Sequence, residues 1–220
     1  MADTAIFDVD GTLVDTNYQH ALAWARAFAR FDVVRPLWRI HRGIGMGGDT
    51  FVPAVAGDDV EREHGDDLRA AWAEEFGALI DECRPFEGAH ELLQEVADRG
   101  FTVVLASSGK KDQVERFLDL VDGRSIATAW TTSEDAEKSK PAPDIVQAAL
   151  ARVDASSGVM VGDSTWDVVA ASKLDVPTIA VRTGGFSVDE LTEAGAVSVF
   201  DSLVELRERL DETPLAKPSR

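Results

Sequence analysis

From Phe101 onward, short apolar runs alternate with stretches in which apolar residues recur every three or four positions. The runs 101–106 (FTVVLA), 127–131 (ATAWT), 158–162 (GVMVG), 177–182 (opening at Pro177) and 196–200 (AVSVF) predict β-strands. The intervening segments 111–121, 143–153, 165–175, 188–194 and 202–211 carry helical spacing. Val114, Phe117, Leu118 and Val121 form one apolar stripe; Ile145, Val146, Ala149, Leu150 and Val153 form another. Near the start, the only comparable apolar run is 4–9, which predicts the first strand. Strands alternating with helices imply an α/β fold, a mainly parallel sheet with helices on both faces.

Between 4–9 and 101–106 no convincing strand appears. Residues 16–31 carry an apolar face of Tyr18, Ala21, Leu22, Ala25, Phe28 and Ala29. Residues 66–83 carry another of Leu68, Trp72, Phe76, Leu79, Ile80 and Cys83. Around 43–48 the run GIGMGG is too glycine-rich for a stable helix interior. A parallel crossover needs only about a dozen residues. Residues 16–84 therefore read as an inserted helical domain, and 1–15 with 85–220 as the core. Helix 88–99, ended by Gly100, returns the chain to the sheet. The final TPLAKPSR reads as a loose tail.

Composition narrows the function. No apolar run approaches the roughly 20 residues that span a bilayer. The start, Met1-Ala2-Asp3-Thr4, lacks the pattern of a signal peptide, and one cysteine, Cys83, excludes an internal disulfide. Both fit a cytoplasmic protein, with Cys83 a packed thiol on its helical stripe. The formal charge of −18 argues against nucleic-acid or membrane partners. It reads as a solubility device or the mark of a salty host. An anionic substrate captured against this field requires positive charge concentrated at one site.

In an open parallel sheet, ligands sit beyond the carboxyl ends of the strands. The first predicted strand ends in Asp8-Val9-Asp10-Gly11-Thr12 and the second in Ser107-Ser108-Gly109-Lys110. The third leads through SEDAEKSKPAP, containing Lys140, and the fourth ends in Gly162-Asp163-Ser164-Thr165-Trp166-Asp167. Each end offers charge, hydroxyl or glycine.

The ordered motifs DVDGTLVDT, LASSGKK, SKPAPD and VGDSTWDV resemble those of the haloacid dehalogenase superfamily over nearly the whole chain. The insert resembles the α-helical cap of its phosphoglycolate-phosphatase and β-phosphoglucomutase branch. The resemblance implies a Rossmann-like doubly wound core and a Mg2+-dependent phosphatase acting on a small-molecule phosphate ester. Asp8 is then the nucleophile, already ionised at neutral pH and needing no activating base. Asp10 protonates the leaving alcohol and later deprotonates water. Gly11 and Thr12 turn the backbone and present amides to the phosphate. Ser107 hydrogen-bonds a phosphoryl oxygen, assisted by amides near Ser108 and Gly109. Lys140, preferred to Lys138 because it opens the family's KPxPD pattern, neutralises the phosphate and holds Asp8. Asp163 binds magnesium with Asp8 and the Asp10 carbonyl, while Asp167 either reaches the metal or holds Lys140. The carboxylates and a phosphate dianion outweigh one divalent ion and one lysine, so Asp10 is expected to stay protonated for its acid role.

In the cap, His20 is either a substrate-loop contact or a packed helix residue. Gly45, Met46 and Gly47, within GIGMGGD, either approach substrate or form a plain loop. Trp24 and Trp72 fit helix faces as core residues. The mutase pattern has an arginine in that loop where this chain offers Met46, which lowers the phosphomutase alternative. A haloacid dehalogenase needs neither Asp10 nor Asp163, and a non-catalytic relative needs none of the set. A small cap closing over its own site is compatible with a monomer.

Overall fold

The computed structural model describes residues 3–217, and the chain divides into two compact units. One comprises Met1–Asp15 and Pro85–Arg220, the other Thr16–Arg84.

The first unit is built on a six-stranded parallel sheet. Its strands are β1 (Thr4–Asp8), β2 (Thr102–Ala106), β3 (Ala129–Thr131), β4 (Val159–Gly162), β5 (Thr178–Val181) and β6 (Ser198–Phe200). Their order is β3-β2-β1-β4-β5-β6, so the chain winds outward on one side of β1 and then reverses. The result is a doubly wound, Rossmann-like α/β fold. Its topological switch lies between β1 and β4, where the crevice at the carboxyl edge opens. The strands read as near-continuous apolar runs because both sheet faces are covered. Ile6, Val104 and Met160 pack on one face with Ile145, Val146 and Ala149. Phe7 and Leu105, paired in register, point to the other.

The four helices of the second unit are α1 (Asn17–Ala29), α2 (Leu37–Gly43), α3 (Gly48–Ala56) and α4 (Asp58–Leu79). They close around Trp24, Phe28, Ile40, Phe51, Val52 and Leu68. Trp24 stacks on Phe51 at 4.5 Å and on Trp72 at 5.4 Å between ring centroids. Such pairs add about 0.5–1.5 kcal/mol each beyond area burial. Both tryptophans are thus packing residues, and Cys83 is a buried thiol. The face of α1 differs from the expected one: Ala21, Ala23, Trp24, Ala27 and Phe28 are buried, while Tyr18 and Leu22 are exposed. Alanines surround this helix, so the large rings of Trp24 and Phe28 decide which side turns inward. Helices α2 and α3 escaped the periodicity because they are short and flank glycines. The glycine run is helical only at its two ends, Gly43 closing α2 and Gly48 opening α3, with Gly47 as the N-cap.

In the first unit the remaining helices are α5 (Ala89–Asp98), α6 (Lys111–Leu120), α7 (Gly123–Ile126), α8 (Asp144–Ala151), α9 (Thr165–Ser172), α10 (Val188–Ala194) and α11 (Leu203–Glu208). Helix α5 ends in a left-handed Gly100 and α10 in Gly195, each followed by an amide that bonds back to the last turn. Helices α1, α8 and α9 end with the same backbone bonds, yet the left-handed residues there are Asp32, Asp154 and Asp175. The tail is less loose than expected. Leu215 is fully buried, and Thr213 Oγ1 donates to Leu210 O at 2.8 Å while accepting from Leu215 N at 3.1 Å. The last three residues of TPLAKPSR lie outside the described part. No described helix is long and apolar enough to cross a membrane.

Candidate active site

Strand β1 stops at Asp8 because the chain turns back on itself. Gly11, at φ 81°, donates from its amide to Val14 O, and the amides of Leu13 and Val14 both reach Val9 O. This turn buries Thr12 fully and leaves Asp8 only 3% exposed. In register, Asp8 lies level with Ala106 of β2, and Phe7 with Val161 of β4. Ser107 and Asp163 therefore follow strands that flank Asp8, at the carboxyl edge beside the switch point.

Lys140, buried in the loop before α8, donates from Nζ to Asp8 Oδ1 at 2.5 Å and to Asp167 Oδ1 at 2.6 Å. Lys138 is exposed and offers its backbone amide to Asp144 Oδ2 at 2.9 Å, so Lys140 is the lysine that reaches Asp8. The Thr12 hydroxyl lies 2.8 Å from Asp163 Oδ1 and 3.2 Å from Asp8 Oδ2. A single hydroxyl proton serves both carboxylates, favouring Asp163 by distance.

Asp10, half-buried, accepts from Ser107 Oγ at 3.0 Å, and Ser107 Oγ in turn accepts from Gly109 N at 3.0 Å. Ser107 thus aims its proton at Asp10. The Gly109 amide is engaged by the serine. A Cβ on Gly109 would lie 3.1 Å from Ser107 Oγ, a close approach that a larger residue would relieve by shifting the serine. Ser108 stands between them.

Asp167 uses both carboxylate oxygens. Oδ1 holds Lys140, and Oδ2 accepts from Ser164 N at 3.1 Å and Ser164 Oγ at 2.6 Å. Ser164 and Asp167 form a capping box at the start of α9. This engagement favours the lysine-holding alternative for Asp167. Sequence reading passed over Ser164, although the Ser-x-x-Asp spacing before an apolar run is a capping signature. It also passed over Gly162: a Cβ there would meet Asp167 Cβ at 2.6 Å, so only glycine lets the first turn of α9 approach β4 this closely.

Three clustered carboxylates, two of them bonded to the one ammonium, leave excess negative charge in a buried place. Burial pushes the Asp8 carboxyl well above the ordinary carboxylate range; Lys140 opposes this, and Asp167, Asp163 and Asp10 add to it. Burial alone would pull the Lys140 ammonium down, but Asp167 and Asp8 outweigh it and keep the lysine charged. Ligand atoms of Asp8, Asp163 and Asp167 all lie within 4.8 Å of one another. An all-oxygen anionic set with uncompensated charge fits a hard divalent cation.

His20, Gly45, Met46 and Gly47 belong to the helical unit. His20 stacks on Phe76 at 3.9 Å and on Trp72 at 5.5 Å, the geometry of a packed ring. Met46 packs against the hydrophobic cluster of that unit. Gly45 has φ 99°, a backbone position that glycine serves.

Residues 5–181 match the family described as haloacid dehalogenase-like hydrolase. The pyrophosphatase PpaX of Bacillus velezensis is 30% identical over 190 residues, covering 80% of this chain and 81% of the relative. A phosphoglycolate phosphatase of Caulobacter vibrioides is 29% identical over 216 residues, covering 92% and 88%. Among solved structures, a hydrolase from Pseudomonas syringae superposes with a TM-score of 0.88 at 30% identity, over 95% of this chain and 98% of that one. With the strand-end carboxylates, the buried lysine and these likenesses together, the chain belongs to the haloacid dehalogenase-like hydrolase family and is an enzyme of its phosphatase type.

Proposed function

We propose that the enzyme hydrolyses a small phosphomonoester through an aspartyl-phosphate on Asp8. A carboxylate oxygen of Asp8, ionised in the reactive complex although burial by itself favours the protonated form, attacks phosphorus, and the bond from phosphorus to the ester oxygen breaks. Asp10 gives its proton to the departing alkoxide. The Asp10 carboxylate then takes a proton from water, whose oxygen attacks the same phosphorus, releasing inorganic phosphate and restoring Asp8. Lys140 fixes the Asp8 carboxylate and lends positive charge to the transferring group, as a point charge suited to phosphate. Ser107 orients Asp10, and Gly11 and Thr12 shape the turn that faces the phosphate. The ion would be Mg2+, held by Asp8, Asp163 and the Asp10 carbonyl, and when bound it offsets the charge of the phosphoryl oxygens.

The observation that carries this reading is the division of labour between two aspartates two residues apart. Asp8 is gripped by a buried lysine, whereas Asp10 accepts from a serine hydroxyl. A nucleophile needs the first environment and an acid–base group the second. Curated relatives act, by their names, on phosphoglycolate, pyrophosphate and validoxylamine A 7'-phosphate. We assign the choice among such substrates to the unit Thr16–Arg84. The test is phosphate release from a panel of phosphomonoesters with Mg2+, beside Asp8→Asn and Asp10→Asn. One or more esters should be turned over by the wild type and none by either variant. Turnover that survives Asp8→Asn or a chelator would overturn the mechanism.

A further inference from the structure

Lys140 does its work from a loop with little regular support. Pro141 and Pro143 have no amide protons, so the backbone around the lysine has few handles. Contacts from inside and outside the loop hold its backbone. Ala142 N bonds Ser139 O at 3.0 Å, closing a turn around the lysine. Lys138 N bonds Asp144 Oδ2 at 2.9 Å, fixing the approach. Another comes from outside the loop: Lys173 Nζ donates to Pro141 O at 2.7 Å.

Lys173 is the C-cap of α9, whose first turn carries Asp167. The same helix therefore holds the loop at two places, the Lys140 ammonium through Asp167 and the Pro141 carbonyl through Lys173. The two grips are separated by about 9 Å of helix rise. We propose that Lys173 is a positioning residue for catalysis, fixing the backbone of residues 140–141 so that Lys140 Nζ stays on Asp8. The proposal rests on the phosphatase reading for its effect on rate, but the geometric part stands without it. Lys173 is exposed and touches only a loop carbonyl in this contact, so its hydrogen bond adds little to global stability. A shift of the lysine by an ångström matters far more to a reaction than to folding.

The experiment compares wild type with Lys173→Met and Lys173→Arg, measuring kcat, KM and Tm. It also measures reductive methylation of Lys140 by mass spectrometry, with exposed Lys111 as the internal reference. Lys173→Met should lower kcat about three- to tenfold, the loss of one charge-assisted hydrogen bond. KM should stay within about twofold of wild type, Tm unchanged and labelling of Lys140 increased. Lys173→Arg, which keeps a charged donor, should recover most of kcat and the protection of Lys140. The proposal is overturned by wild-type kcat and labelling in Lys173→Met, or by Lys173→Arg as impaired as Lys173→Met. A rise in KM alone that salt abolishes would also overturn it, since that is long-range attraction of an anion. If the wild type releases phosphate from no ester, the phosphatase reading fails, and the labelling of Lys140 alone decides the proposal.

Discussion

The two units place their charged groups in opposite ways. In the sheet unit, Asp8, Lys140, Asp163 and Asp167 are each no more than 3% exposed, and their contacts join residues far apart in sequence. In the helical unit the interior is aromatic and many ion pairs lie at the surface. Arg62 with Asp59, Arg69 with Asp66 and Arg30 with Glu74 all involve well-exposed carboxylates. The first arrangement sacrifices stability for a reactive centre, because buried like charges repel and desolvation is unfavourable. The second takes stability from ring packing and uses charge for solvation. Chemistry and cohesion are thus assigned to different parts of one chain.

The comparison predicts opposite responses to substitution. The largest effect belongs to Asp8→Asn, which should abolish phosphate release, by at least about 1,000-fold, yet raise the Tm of the metal-free protein. The sign follows from linkage. Asp8 has a raised folded pKa, so the folded state binds more protons than the unfolded one, and stability falls as pH rises above the unfolded value near ~3.9. The Tm advantage of Asp8→Asn in chelator should therefore grow with pH across that range, and an advantage that shrinks would refute the account. Next, Lys140→Met leaves the buried carboxylates uncompensated and should destabilise the metal-free protein by about 3–5 kcal/mol in urea unfolding. Trp24→Ala should lose a similar amount, about 3–5 kcal/mol, by opening a cavity among Phe28, Phe51 and Trp72. Unlike Lys140→Met, its loss should not depend on chelator. At the small end, Arg62→Ala breaks an exposed ion pair with Asp59 and should leave the urea midpoint where it was.

How much of this was legible beforehand follows the same division. The sheet unit announced itself because its strands are short, mainly apolar runs and chemically distinctive residues stand at their carboxyl ends, as in Phe7-Asp8 and Gly162-Asp163. Contacts made through the fold were harder to read. That Ser107 turns to Asp10 depends on how the turn after β2 is wound. The burial of Leu215 depends on a threonine hydroxyl closing the tail. The helical unit was read coarsely. Helix α4 begins at Asp58, well before the apolar stripe at 66–83, since its first turns hold charged residues that favour a helix N-terminus without marking a face. The alanine-rich α1 left its orientation to two aromatic residues.

The left-handed helix ends extend the picture beyond the active site. Where α5 and α10 use glycine, α1, α8 and α9 use Asp32, Asp154 and Asp175. An L-residue in that conformation is strained relative to glycine, and a carboxylate beside helix carbonyls opposes their dipole. These three aspartates hydrate the surface where they stabilise it least. Dissolved salt should supply what the sequence withholds, screening each carboxylate from its helix and from the chain's net charge of −18. The Tm should therefore climb between dilute buffer and about 0.5 M salt, and a triple Asp→Gly replacement should flatten the climb. Three turns, through the stereochemistry of their aspartates, would then set part of the protein's response to salt.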